Sequence, residues 1–269
     1  MPKKPNRRQF LTRTAAATLA TDICAPKFVR AADAQWGDLT GRFVYDGKAP
    51  ERKKLTVDKD VECCGKFDIR DESLMVAEDG SLQNVYIYVL TRGVEVCPEL
   101  EESVEKRVTL DNRDCIFATH CMTIWYTKQE FHVVNSDPVA QSVKFDPLGD
   151  VPANIVIPAA TKDKKPEVTW KFRRKQRIPV PIDCVYHPWE RAYILPREDP
   201  YAAVAGKDGT FTIAKLPAGE LEFQVWHERI GYLATPEWTK GRFEMTVKPG
   251  TNDLGTVKID PKWLVPKEG

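Results

Sequence analysis

The chain has 269 residues, 42% of them hydrophobic and 29% charged, with 40 Lys and Arg against 39 Asp and Glu. That composition belongs to a folded globular chain, and it lacks the basic excess that grips phosphate backbones, so nucleic acid is not an expected partner. No apolar run approaches the roughly 20 residues that cross a bilayer as a helix.

Residues 6–11 read Asn-Arg-Arg-Gln-Phe-Leu, a weakly apolar run follows from Ala15 to Ala20, and Ala32-Asp33-Ala34 offers a small-x-small cleavage site. The combination over residues 1–34 resembles a twin-arginine export signal. Arg13 and Asp22 make its apolar core too polar for a membrane anchor. The resemblance implies a mature chain from near Gln35, delivered folded to the periplasm or another extracytoplasmic compartment. Without residues 1–34, 33 basic side chains face 37 acidic ones, a mildly acidic balance. Six cysteines remain: Cys63, Cys64, Cys97, Cys115, Cys121 and Cys184. An oxidising compartment favours pairing of some of them, and spacing alone does not choose the pairs. Adjacent Cys63 and Cys64 are poor partners for each other, because the usual Cα separation is hard to reach between neighbours. If Cys184 stays a thiolate, at least one of the other five is free.

Beyond Gln35 the pattern is strand and turn. The run Gln83 to Leu90 is β-branched, aromatic and nearly all apolar, which suits a buried strand. A short helix is expected from Pro98 to Lys106, with proline at its first position and Leu100 and Val104 one turn apart. Val168–Phe172 and Val180–Asp183 read as strands that deliver the loop at Cys184. The turn Lys207-Asp208-Gly209 precedes a strand at Thr210–Ile213. Pro217-Ala218-Gly219 turns the chain into Leu221–Trp226, which alternates with period two. Trp125, Trp170, Trp189, Trp226 and Trp238 lie in strand-like contexts and are expected to fill sandwich cores. The basic run Lys171, Arg173, Arg174, Lys175 and Arg177 reads first as a solvated hairpin tip, and second as a docking patch for an acidic redox partner. About 235 residues accommodate two small β domains.

The most informative stretch is Cys184-Val185-Tyr186-His187-Pro188-Trp189-Glu190. Blue-copper sites hold the metal with a thiolate and two imidazoles in a plane and a weak axial thioether. The spacing Cys-x-x-His-x-x places Glu190 where the thioether sulfur would stand. Residues from about Val108 to Leu195 are similar to cupredoxins. Gly41 to Pro50 looks like the opening strand and turn of carboxypeptidase regulatory-like domains, which are transthyretin-like β-sandwiches. Lys207 through Pro217-Ala218-Gly219 to Trp226-His227-Glu228 looks like the closing half of the same domain type. Exported proteins with this composite pattern, some of them methylamine-utilisation-like, resemble the chain over nearly its whole mature length. The resemblance implies an all-β fold with a cupredoxin-like Greek-key sandwich, at 108–198, inserted in or adjacent to a transthyretin/Ig-like sandwich made of 35–107 and 199–262, with a tail at 263–269. The competing layout is three consecutive β modules.

In the cupredoxin-like pattern the first imidazole follows a turn written Asn-x-Asp. Here Asn135-Ser136-Asp137 leads to Gln141 at the histidine position. An amide oxygen is a weaker equatorial donor than imidazole, and a Glu190 carboxylate is harder than thioether, which favours Cu(II) over Cu(I). The metal set implied is Cys184, His187, Glu190 and Gln141, with copper as the cofactor. Three accounts stand: copper in an oxygen-rich geometry, another ion such as zinc on Cys184, His187 and Glu190, or a loop that has lost metal and survives because Pro188 and Trp189 hold the fold. His120, in Cys115-Ile116-Phe117-Ala118-Thr119-His120, matches a Cys-x-Phe-x-Pro-His phrase of the family and is a candidate outlying ligand or orienting group. His132 reads as a satisfied polar residue on a sheet face, and His227 as a residue at the contact between the domains. No Ser-His-Asp set, phosphate-cradling loop or paired-carboxylate signal stands out, so no enzyme is expected. The expected function is an exported, non-enzymatic cupredoxin-like protein with an altered copper site, serving electron transfer or copper handling, possible partner a redox protein. The alternative is a metal-free sandwich that binds a protein or glycan at the cell surface.

Overall fold

The computed structural model describes residues 35–266, so the expected export signal and its cleavage site lie outside the described residues. The architecture is all-β. The chain opens with β1 (Trp36–Tyr45), a short α1 (Val61–Cys64), β2 (Tyr86–Val89) and α2 (Pro98–Ser103). Nine strands follow: β3 (Arg107–Arg113), β4 (Ile116–Phe117), β5 (Cys121–Trp125), β6 (Glu130–Asn135), β7 (Gln141–Phe145), β8 (Ala153–Ile157), β9 (Glu167–Trp170), β10 (Val180–Asp183) and β11 (Arg191–Arg197). The last six are β12 (Ala202–Val204), β13 (Thr210–Pro217), β14 (Gly219–His227), β15 (Gly231–Tyr232), β16 (Arg242–Val247) and β17 (Gly250–Ile259).

Two sheets draw on both ends of the described chain. In one, β1 lies between β13 and β17, antiparallel to the first and parallel to the second. In the other, the order is β12-β2-β14-β15, with β16 also paired to β14. They enclose Leu39, Phe43, Leu82, Ile87, Phe223 and Val225, each fully buried. Two further sheets use the strands between them in sequence, ordered β4-β3-β6-β9 and β5-β11-β10-β7-β8. Phe131, Val133, Val143, Ile182, Ala192 and Ile194 fill the space inside this second sandwich. The strand chemistry explains the burial. All four residues of β2 are buried, as a run without polar alternation requires, whereas β1 alternates over most of its length.

The sandwiches meet along an aromatic seam of Tyr86, Tyr88, Tyr193, Leu195 and Trp226. Tyr86 is fully buried, yet its hydroxyl donates to the Tyr193 carbonyl at 2.9 Å and accepts from the Met122 N–H at 3.0 Å. Arg197, reaching from β11, donates to the Val89 carbonyl at 2.6 Å. These bonds satisfy polar groups that burial would otherwise leave orphaned.

Local chemistry sets several boundaries. Gly209 closes the turn before β13 at φ +74°, and a Cβ there would stand 2.4 Å from the Phe43 carbonyl oxygen, so glycine is required on two counts. The helix at Pro98 starts where proline predicts but ends at Ser103, three residues short of the expected Lys106; Val104 is already extended and its N–H closes on Leu100. Trp189 and Trp238 do not lie in strands: the first sits in the loop before β11 and the second precedes a 3₁₀ turn at Thr239–Gly241. The basic run does not cap a hairpin either. It connects β9 to β10, which belong to different sheets. Within it Lys171 pairs with Glu130, Lys175 with Glu198, and the Arg173 and Arg174 amides donate to Asp150. Among the described residues no helix is long and apolar enough to cross a membrane.

Candidate metal centre

The loop between β10 and β11 brings Cys184, His187 and Glu190 together, and the start of β7 adds Gln141. A tight turn shapes the loop: the Glu190 N–H donates to the His187 carbonyl at 2.9 Å, and the Cys184 N–H to the Glu190 carbonyl at 3.3 Å. All four side chains are buried, with His187 and Gln141 at 0% exposure. The four residues named from sequence therefore share one enclosed centre.

His187 Nδ1 is the focus. It lies 2.7 Å from Gln141 Oε1, 3.3 Å from Glu190 Oε1 and 3.6 Å from Cys184 Sγ. Cys184 Sγ is 3.3 Å from Gln141 Oε1. Around an ion with bonds near 2.0–2.3 Å, tetrahedral donors stand roughly 3.3–3.7 Å apart. Three of the four separations match that spacing. The fourth is an ordinary hydrogen bond, which must lengthen by about half an ångström for all four donors to face one ion. The donor set of sulfur, imidazole and two oxygens therefore fits a copper or zinc ion in type, with three of these separations already at the spacing such an ion sets.

The surrounding bonds hold these atoms in place. Gln141 Nε2 donates to Asp137 Oδ2 at 3.0 Å, which fixes the amide with its oxygen toward the centre. Asp137 is itself held by the Asp114 and Cys115 N–H groups, and its own N–H caps onto Asn135 Oδ1. The Asn135-Ser136-Asp137 turn is thus the bracket for Gln141. Ser142 donates through its N–H and hydroxyl toward Cys184 Sγ at 3.4 and 3.6 Å, which fixes the sulfur beside the start of β7. Cys184 is not in a disulfide. Glu190 is the exception: both carboxylate oxygens are buried without a hydrogen-bond partner. Burial pushes its pKa up, the direction expected for a carboxyl short of compensating charge. Burial alone would pull His187 down, but Cys184, Glu190 and Asp60 around its ring push it up to about 10.

Asp60 has no motif in the sequence to announce it. Its carboxylate accepts from His187 Nε2 at 2.9 Å, the carboxylate–histidine arrangement that orients a ligating ring. Asp60 precedes α1 with a left-handed φ of 43°, uncommon for a residue with a side chain. A Cys64–Cys115 disulfide anchors α1 beside the centre. Trp189 packs on the His187 ring at 5.1 Å and donates its indole N–H to the Cys115 carbonyl. Together they cover the imidazole. Adjacent Cys63 remains unpaired, as do Cys97 and Cys121.

The remaining histidines lie elsewhere. His132 sits on β6 with Nε2 3.3 Å from Glu167, the satisfied sheet residue expected. His227 is 1% exposed, and burial beside Arg229 pulls its pKa down to about 3, so the ring is neutral. His120 joins neither the Cys184 loop nor Gln141. It pairs with Glu228 across the seam, and Glu72 approaches its other nitrogen at 3.6 Å. Burial would lower the His120 pKa, but these two carboxylates outweigh it and raise it to about 9.

No protein-family model matches the chain, and no curated relative matches it. Among solved structures, it is similar to amicyanin in a Cu(I) form (12% identity, TM-score 0.26) and to oxidised amicyanin (14% identity, TM-score 0.27). Each match covers 41% of this chain and 98% of the amicyanin chain. At that identity and TM-score the likeness carries nothing about chemistry, which rests on the residues themselves.

Proposed function

We propose that this is an exported, non-enzymatic protein in which a cupredoxin-like sandwich holds copper in an oxygen-rich site. One observation carries the reading: a sulfur, an imidazole nitrogen and two side-chain oxygens converge in a buried centre, one of them from a carboxylate with no hydrogen-bond partner. A buried carboxylate without a hydrogen bond is costly, and the His187 ring 3.3 Å away offsets its charge only while that ring is protonated. Cys184 and His187 would bind as thiolate and imidazole, with Gln141 and Glu190 completing the shell. Copper would supply a redox-active ion whose Cu(II) state the hard oxygens favour. Asp60 and Trp189 leave the His187 ring covered, which suits retention of the ion better than rapid exchange of electrons with a redox partner. Support for an interrupted carrier domain is the pairing of β1 and β2 with strands from the C-terminal third, while β3–β11 pair among themselves.

A second reading has its own observation. Both His187 nitrogens face oxygen acceptors, the arrangement of an imidazolium that neutralises Glu190 and Asp60 without metal. The protein would then be a metal-free binding module. Titration with Cu(II), followed by metal analysis and visible absorption, separates the two. Near-stoichiometric copper with a thiolate charge-transfer band that Cys184→Ser abolishes is the expected result. No copper and no band, in protein with a titratable Cys184 thiol, would leave the metal-free module.

A further inference from the structure

A second cluster of donors lies at the seam, independent of the centre around Cys184. His120 precedes β5, Cys121 begins it, and Glu228 follows β14. One donor atom from each of the three lies within 4.8 Å of the others. His120 Nε2 is in direct contact with Glu228 Oε1. Their side chains are 9% and 6% exposed, and Cys121 is buried without a disulfide partner. On the far side of the ring, His120 Nδ1 is buried without a hydrogen-bond partner, with Glu72 Oε2 3.6 Å away. An ion pair between His120 and Glu228 needs neither the sulfur nor the second carboxylate. A metal ion uses both, the sulfur as a ligand and Glu72 as the acceptor that orients the imidazole.

We propose that His120, Cys121 and Glu228 form a second site, for a divalent cation of the zinc type. Imidazole, thiolate and carboxylate are all ligands that zinc accepts, and three protein ligands leave a fourth position open. Two of the three residues, His120 and Glu228, line a cavity of about 380 Å³ whose walls also include Glu72, Trp189 and Glu190. Binding displaces the proton shared by His120 and Glu228 and the Cys121 thiol proton, so uptake releases protons. Because β5 belongs to one sandwich and β14 to the other, the ion ties the two together at their aromatic seam.

The test uses the full chain carrying Cys184→Ser, which removes the sulfur of the other centre. Co(II) titration is expected to give one equivalent bound with a thiolate-to-metal band, and adding Cys121→Ser is expected to remove the band. Zn(II) binding by calorimetry is expected to weaken at least tenfold in Glu228→Gln and in His120→Gln. His120→Gln can disturb the fold, so the near-isosteric Glu228→Gln and Cys121→Ser, checked by near-ultraviolet circular dichroism, decide the matter. Failure of the Cys184→Ser protein to take up Co(II) or Zn(II), or uptake indifferent to both of those substitutions, overturns the proposal. Because Cys184 is absent throughout, the copper centre can fail or stand without affecting the result.

Discussion

Gln141 and Glu190 set the character of the candidate centre. In place of a second imidazole and a thioether they offer oxygens, and the structure presents both oxygens to His187 Nδ1. Restoring nitrogen and sulfur with Gln141→His and Glu190→Met is expected to convert a weak absorber into an intense blue one on addition of Cu(II), read directly from the visible spectrum. A copper-free spectrum after that double change would remove the geometric basis of the site. Glu190 also sets up an opposition between stability and binding. Its carboxylate is buried without a hydrogen bond and has only the His187 ring, 3.3 Å away, as counter-charge, so Glu190→Gln is expected to stabilise the metal-free protein by about 1–2 kcal/mol in chemical denaturation only above pH about 10, where that ring is neutral. The same change is expected to weaken copper binding about tenfold or more. Cys184, His187, Gln141 and Glu190 are all legible in sequence, since one seven-residue loop and one Asn-x-Asp turn position them. Asp60 is not legible. It lies 127 positions from His187 and no local pattern links them.

Among the elements, α1 depends most on a cross-link. Four residues cannot hold a helix by themselves, and the Cys64–Cys115 disulfide, spanning 51 positions, fixes this one beside the centre. Chain-entropy arguments give roughly 4 kcal/mol for a closed loop of that length. Cys64→Ser with Cys115→Ser is expected to lose stability on that scale in urea unfolding. It is also expected to speed copper loss to a chelator, because Asp60 is freed from His187. The turn into β13 makes a separate test. Asp208 Oδ1 accepts from the Thr210 N–H and hydroxyl at 3.0 and 2.7 Å, which holds its carboxyl below the ordinary 3.8. A depressed folded pKa adds stability above the unfolded value and loses it as pH falls through the folded one. Asp208→Ala is therefore expected to lower the melting temperature at pH 7, with the gap closing in acid; a gap independent of pH would sever the link to this carboxylate. Strand cores are legible here because burial leaves a period in the residues, as in Thr210–Ile213, although Leu221–Trp226 alternates in sequence and buries Gln224 as well. Strand and helix ends are less so, as Ser103 shows, because the backbone turns extended at Val104 with no breaker residue in the sequence to mark the change.

At the scale of the molecule, the seam couples two sandwiches. The buried Tyr86 hydroxyl contacts the Met122 N–H and the Tyr193 carbonyl of the second sandwich. Tyr86→Phe orphans that N–H and is expected to cost about 1–3 kcal/mol. With the seam intact, unfolding of the described unit is expected to be one cooperative calorimetric transition, and two resolved transitions would show that the sandwiches are energetically separate. Sequence by itself determined the all-β class, the strand cores, and the loop that carries a cysteine and a histidine three residues apart, because periodicity and short-range spacing are local properties. Tertiary structure alone decided that Asp60 covers His187, that Cys64 joins Cys115, and that His120 meets Glu228 across the seam. Those contacts join residues 51 to 127 positions apart, and only the packing of sheets against each other brings such distant side chains within bonding range.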